Sequence, residues 1–174
     1  MTDHIPGLPA GSGAERAALT LGAFDGVHRG HQRLLTMLRH RAERRTAVAI
    51  ALSFDPHPRC VVDPAGCPPL LTEVDDRLQL MRQAGAAQAH AIRFDRELSR
   101  WSAERFLTAL LDFARIDSLL CGPGFALGHN REGDFAYLRR FGRKHGFFVI
   151  PVQPVMAAGE PVSSTRVRRE LQAG

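Results

Sequence analysis

Five short apolar runs, at residues 18–24, 47–54, 89–94, 118–121 and 147–152, alternate with stretches of helical periodicity, and this alternation admits few folds. Most of the runs lack the polar–apolar alternation of a half-exposed sheet, so they read as strands covered on both faces. Between them, residues 30–45 place Leu34, Leu35, Leu38 and Ala42 on one helical face. Residues 102–114 do the same with Phe106, Leu107, Leu110, Leu111 and Ala114. Residues 133–145 predict a more basic helix and residues 164–171 a last short one, while Thr72 and Ser102 stand where N-caps belong. Strands alternating with helices predict an α/β fold with a mostly parallel sheet.

A chain of 174 residues with 44% hydrophobic content is of a size to bury one core, so a single domain over residues 17–174 is expected. Residues 1–16, rich in Gly, Pro and small polar side chains, predict a flexible tail. The start lacks the basic-then-apolar layout of a signal peptide and no apolar run reaches membrane length, so a cytoplasmic protein without membrane contact is expected. Cys60, Cys67 and Cys121 are odd in number and lack CxxC spacing, which predicts neither a disulfide nor a zinc site. Residues 55–71 hold Pro56, Pro58, Pro64, Pro68 and Pro69 and predict an irregular connection long enough to be a substrate loop. The net charge of +5 suits an anionic partner. Because no aromatic-interleaved basic stripe accompanies it, a phosphorylated small molecule is expected and nucleic acid is not.

Three groups of residues carry chemistry. After the first strand, His28-Arg29-Gly30-His31 opens a helix, where free N–H groups and the positive helix end favour an anion. The two imidazoles lie about one helical turn apart, so both can donate to one phosphate while Gly30 leaves the backbone approachable. Read as a bare motif, the same residues also describe an ordinary helix start. After the second strand, Asp55-Pro56-His57-Pro58 is a rigid turn at the ligand-binding edge of an open α/β sheet, or simply a stiff connection. Ser163-Ser164-Thr165-Arg166-Val167-Arg168 gathers hydroxyls, N–H groups and guanidinium forks at a helix start, which would suit a triphosphate or serve as a plain N-cap.

Gly22-Ala23-Phe24-Asp25-Gly26-Val27-His28-Arg29-Gly30-His31-Gln32, followed by Leu34-Leu35, resembles the opening motif of bacterial FAD synthetase. That is the FMN adenylyltransferase module of bifunctional riboflavin kinase/FMN adenylyltransferase, in the HxGH nucleotidyltransferase superfamily. The extended form separates this family from relatives acting on pantetheine phosphate, nicotinate mononucleotide or cytidylyl acceptors. The resemblance implies a Rossmann-like (HUP-type) parallel sheet with helices on both faces, and the reaction ATP + FMN → FAD + pyrophosphate. It implies that His28 and His31 meet the α-phosphate and that Gly22, Ala23, Phe24, Asp25 and Gly30 hold the nucleotide. Ser163, Ser164, Thr165, Arg166 and Arg168 would grip the β and γ phosphates, with Arg166 catalytic. Asp55, Pro56, His57, Pro58, Phe125 and Arg131 would line the flavin side. Magnesium is expected to arrive with ATP, with no side-chain metal ligand.

Residues 121–134 are similar to a family stretch reading Gly-x-[Asp/Asn]-Phe-x-Phe-Gly, a basic pair, then Gly-Asp. Here Gly124 replaces the acid or amide and Leu127 the second aromatic, whereas Gly128, Arg131, Gly133 and Asp134 match. Two alternatives therefore stay open: adenylyl transfer to another phosphorylated acceptor, and a flavin- or nucleotide-binding protein without turnover. The resemblance runs over residues 19–171 without a riboflavin kinase module, so a separate riboflavin kinase is expected as a partner that supplies FMN. Oligomeric state is not legible in the sequence.

Overall fold

The computed structural model describes residues 3–10 and 15–174. β1 (Arg16–Gly22) is the central strand, paired in parallel with β2 (Val48–Asp55) on one side and β4 (Arg115–Cys121) on the other. β3 (Gln88–Arg93) and β5 (Phe148–Pro151) form the edges, giving a five-stranded parallel sheet in the order β3-β2-β1-β4-β5. The order reverses between β1 and β4, and the crevice beyond the carboxyl ends of strands at such a reversal is where ligands bind in Rossmann-like folds.

Both faces of the sheet are covered, which is why its strands read as continuous apolar runs. Ala17, Leu19 and Leu21 of β1 point into one core together with Phe106, Leu107 and Leu110 of α4 (Ala103–Phe113) and Leu138 and Phe141 of α5 (Phe135–His145). Ala18 points into the other core, with Leu34, Leu35, Leu38 and Ala42 of α1 (Arg29–Arg45) and Met81 of α3 (Val74–Gln83). Ser102 caps α4, its hydroxyl accepting from the Arg105 amide at 3.1 Å.

Several features depart from the sequence expectations. Within the segment expected to be a flexible tail, Ile5 and Leu8 are buried in the first core, and the Pro6 carbonyl accepts from the Arg93 amide at 2.8 Å. Two apolar side chains spaced three apart suffice to dock a segment whose composition is otherwise loop-like; residues 1–2 and 11–14 lie outside the described residues. The connection expected to be irregular contains α2 (Pro58–Val62), started by a proline where no N–H is needed, and a 3-10 turn at Pro64–Gly66. These turns fold the chain back so that Cys60 and Cys67 lie 4.3 Å apart at Cα and form a disulfide that the residue count had argued against. Cys121 is a free, buried thiol whose pKa burial pushes up to about 12. Thr72 does not cap α3, which begins after Glu73 without a side-chain cap. A two-stranded hairpin, β6 (Met156–Ala157) and β7 (Glu160–Pro161), precedes the last helix, α6 (Ser164–Ala173).

Candidate active site

The turn from β1 into α1 uses backbone that L-residues seldom adopt: φ is 50° at Phe24 and 36° at Val27. Such conformations persist where their surroundings over-determine them. Here Phe24 and Val27 are each 2% exposed, and the Val27 amide donates to the Phe24 carbonyl at 3.0 Å. The turn delivers His28 to the N-cap of α1, where its Nδ1 accepts from the His31 amide at 3.4 Å. Nε2 of His28 therefore carries the ring proton and is the donor. The His28 and His31 rings stack, with centroids 3.7 Å apart at 17°. A side chain at Gly30 would bring its Cβ within 3.2 Å of the His28 ring, so the glycine makes room for the imidazole.

Both imidazoles are neutral at neutral pH. Burial lowers the pKa of His28 below the usual value. Burial first, and the neighbouring His28 second, lower that of His31 to about 3, against an opposing pull from Asp25. His31 Nδ1 is buried without a hydrogen-bond partner.

Asp25 sits in the same turn with a side chain 1% exposed. Its carboxylate accepts from the amides of Leu71, at 3.0 and 3.1 Å, and Thr72, at 3.1 Å, from the Thr72 hydroxyl at 3.3 Å, and from Arg168 Nη2. The Thr72 hydroxyl also accepts from the Gly26 amide at 3.1 Å, which explains why it is not free to cap α3. One turn further along α3, fully buried Arg77 donates to the carbonyls of Ala23, Phe54 and Thr72 and to the Ser53 hydroxyl. Arg77 thus ties the ends of β1 and β2 together. Sequence reading did not single it out, although an arginine four residues before Met81 shares that residue's buried helical face.

α6 reaches the same turn from the far end of the chain. Ser163 is its N-cap, accepting from the Arg166 amide at 3.2 Å, and the Ser164 hydroxyl donates to the Asp25 carbonyl at 2.9 Å. Arg166 donates to the carbonyls of Ala157 and Glu160 and to the Glu170 carboxylate. Arg168 donates to Asp25 and, at 2.7 Å, to the Pro69 carbonyl.

Two cavities open at the carboxyl edge of the sheet. The smaller, about 310 Å³, is lined by His28, His31, Gly22, Gly30, Phe24 and Ser163, with the segment from Val152 to Val155 opposite. The larger, about 650 Å³, is lined by Pro58, Phe54, Phe94, Trp101, Phe106 and Arg131 among others. Leu21 and Phe125 belong to both walls. Both volumes fall in the range of small-molecule sites, roughly 300–1,000 Å³. Of the residues singled out from sequence, Ala23, Asp25, Asp55, Pro56, His57, Ser164, Thr165, Arg166 and Arg168 line neither cavity. His57 instead caps α2, its Nδ1 accepting from the Arg59 amide at 3.2 Å. Sequence reading missed Trp101, the chain's single tryptophan, whose indole N–H is buried without an acceptor. Arg131 donates to the Gly124 carbonyl at 2.7 Å, and the space that a side chain at Gly124 would enter is open. Among the described residues no group of three or more His, Cys, Asp or Glu side chains could hold a metal ion.

A five-stranded parallel sheet with a histidine-bearing helix start and a serine-bearing helix start meeting at its switch point defines a Rossmann-like α/β protein. The chain belongs to the FAD synthetase family, whose sequence model matches residues 12–166. It is 34% identical over 158 residues to the bifunctional riboflavin kinase/FMN adenylyltransferase of Escherichia coli K12, covering 90% of this chain and 50% of that one. The Pseudomonas fluorescens protein of the same name is 37% identical, with 88% and 50% covered. A Geobacillus thermodenitrificans relative of related name is 33% identical, with 91% and 84% covered. The chain thus spans half the length of the first two relatives. A solved structure named as a macrolide-efflux protein from Streptococcus pneumoniae superposes with a TM-score of 0.75 at 21% identity, over 90% of this chain and 51% of that one, a likeness of fold.

Proposed function

We propose that the protein transfers the adenylyl group of ATP to FMN. An FMN phosphate oxygen attacks the α-phosphorus in line, a new phosphoanhydride bond forms, the α–β bond of ATP breaks, and pyrophosphate leaves. The observation that carries the reading is the stacked, neutral His28–His31 pair in a cavity that shares Leu21 and Phe125 with a larger apolar cavity sized for a flavin. Neutral imidazoles offer N–H donors to the charge that builds on the α-phosphoryl oxygens, so catalysis rests on positioning and preorganised donors rather than proton transfer. The hydroxyls of Ser163, Ser164 and Thr165 and the Arg166 guanidinium are the proposed contacts to the β and γ phosphates, and Phe125, Pro58 and Arg131 the flavin contacts. Asp55, Pro56 and His57 contribute by shaping the loop behind Pro58.

Magnesium is proposed to come with ATP, since the described residues offer no ligand cluster of their own. FMN would be supplied by a riboflavin kinase. A cytoplasmic setting is proposed as well. No helix among the described residues is long and apolar enough to cross a membrane, whereas the Cys60–Cys67 bond is of a kind rare in reducing compartments. Incubating the protein with Mg-ATP and FMN and separating the products by chromatography tests the central reading. Absence of FAD alongside intact ATP binding sinks it.

A second reading, another phosphorylated acceptor, is favoured by Leu127 in the wall of the larger cavity and by Gly124, which places no side chain beside Phe125 of that wall. A screen of acceptors by pyrophosphate release decides it, and a response to FMN alone removes it.

A further inference from the structure

The resemblance gives both Arg166 and Arg168 to the phosphates of ATP, yet their surroundings differ. The carboxylates facing Arg166, Glu160 and Glu170, are each 57% exposed. Exposed ion pairs contribute little, so Arg166, itself 15% exposed and also donating to the Ala157 and Glu160 carbonyls, can turn to an incoming anion without stranding a buried charge. Arg168 is paired with Asp25, whose side chain is 1% exposed. Moving Arg168 would strand a buried carboxylate without its counter-charge, which is strongly unfavourable.

Asp25 and Arg168 also join three distant segments. The Asp25 carboxylate binds the Leu71 and Thr72 amides, Arg168 binds the Pro69 carbonyl, and the Asp25 carbonyl takes the Ser164 hydroxyl. The segments are the turn that ends in His28, the end of the proline-rich connection, and the start of α6. Neither residue of the pair lines a cavity. We infer that Asp25 and Arg168 form a buried clasp that fixes the His28–His31 turn against α6 and the Pro69–Thr72 segment. Arg168 is on this view a positioning residue that acts through Asp25 and not a phosphate ligand. The inference rests on the proposed adenylyl transfer and refines its phosphate site.

A double-mutant cycle on the full chain tests it: the unsubstituted protein, Asp25→Asn, Arg168→Met and the double variant, with kcat and KM for ATP from FAD formation and ATP affinity from calorimetry. Because misplacing reacting groups is costly even from a distance, each single variant is expected to lose on the order of 100-fold in kcat. ATP affinity stays within about threefold, and the double variant is no worse than the poorer single one. A tenfold or greater loss of ATP affinity in Arg168→Met with kcat retained, or losses that multiply, overturns the clasp.

Melting curves show whether each variant folds. If either residue's removal unfolds the chain, Arg168→Lys decides. Lysine keeps a cation for a triphosphate but cannot fork to Asp25 and Pro69 together, so kcat falls about tenfold at unchanged ATP affinity, and full kcat refutes the clasp. If the unsubstituted protein makes no FAD, the proposed reaction has failed separately, and ATP affinity alone judges the clasp. Affinity kept in Arg168→Met sustains it, and a loss of about tenfold ends it.

Discussion

The starts of α1 and α6 are built alike at first sight, each with a side chain that caps the amide three residues ahead, His28 for His31 and Ser163 for Arg166. They differ in what holds them in place. The α1 start is organised by near neighbours: Phe24 accepts from Val27, the Val27 carbonyl from the Gln32 side chain at 3.0 Å, and the two imidazoles stack on each other. The α6 start is held by partners far away in sequence, Asp25 through both Ser164 and Arg168 and Pro69 through Arg168. The local half shapes its own turn and is anchored to the rest of the fold only through Gly26 and Asp25, whereas the tertiary one depends on each of the segments that meet there.

Substitutions can break or sharpen this contrast. The largest effect is expected from His28→Ala, which removes a preorganised donor while leaving a half-buried position easily refilled by water. FAD formation should lose about 10²–10³-fold in kcat, with only the modest fall in melting temperature that loss of an N-cap brings. A loss below tenfold would remove the pair from the chemistry. At the α6 start, Arg166→Met is expected to raise KM for ATP about tenfold with kcat retained, because its carboxylate partners are exposed and its removal strands no buried charge. Ser164→Ala takes away one hydrogen bond to the Asp25 carbonyl and should cost about five- to tenfold in kcat/KM for ATP, with a lowered melting temperature.

Gly124→Asn works in the opposite direction. The site has φ of +66° and open space around the missing Cβ, and Asn tolerates that backbone better than most residues, so a gain of about threefold in kcat/KM for FMN is expected. Unaltered or worsened kinetics would mean that the acceptor cavity does not use a side chain there.

The smallest effect is a predicted absence of one. With His31 titrating near 3 and His28 also below its ordinary value, kcat should show no imidazole step between neutral pH and 6.5. Stability carries the sign the same shift dictates. The unfolded chain binds a proton at His31 near 6.5 and the folded chain only near 3. The contribution is therefore complete above pH 6.5 and is lost as pH falls toward 3. His31→Gln should flatten that acid limb of the melting curve, and an unchanged limb would mean that other groups set it.

The α/β alternation and the histidine turn were legible in the sequence because both rest on local rules, burial on two faces and a helix start with its cap. What sequence left dark is tertiary. Thr72 has the composition of a cap and is drawn away by Asp25 and Gly26; Asp25, which resemblance assigns to the nucleotide, is a buried hub of hydrogen bonds. Ile5 and Leu8 sit in a loop-like segment and still fill a gap in the first core, and Cys60 meets Cys67 only because a short helix reverses the chain between them. Asp55 and His57, given flavin roles by resemblance, line neither cavity, whereas Pro58 beside them does.

The chain position of α6 bears on assembly during synthesis. Every strand of the sheet precedes it, and the central strand already has both neighbours once residues up to Cys121 are made. Since domains fold as they emerge at about 5–20 residues per second, a ribosome-bound chain can complete its sheet and histidine turn while Asp25 still lacks its counter-charge. Until α6 arrives, that carboxylate is a buried anion held only by amides and a hydroxyl, and the helix brings the cation it lacks.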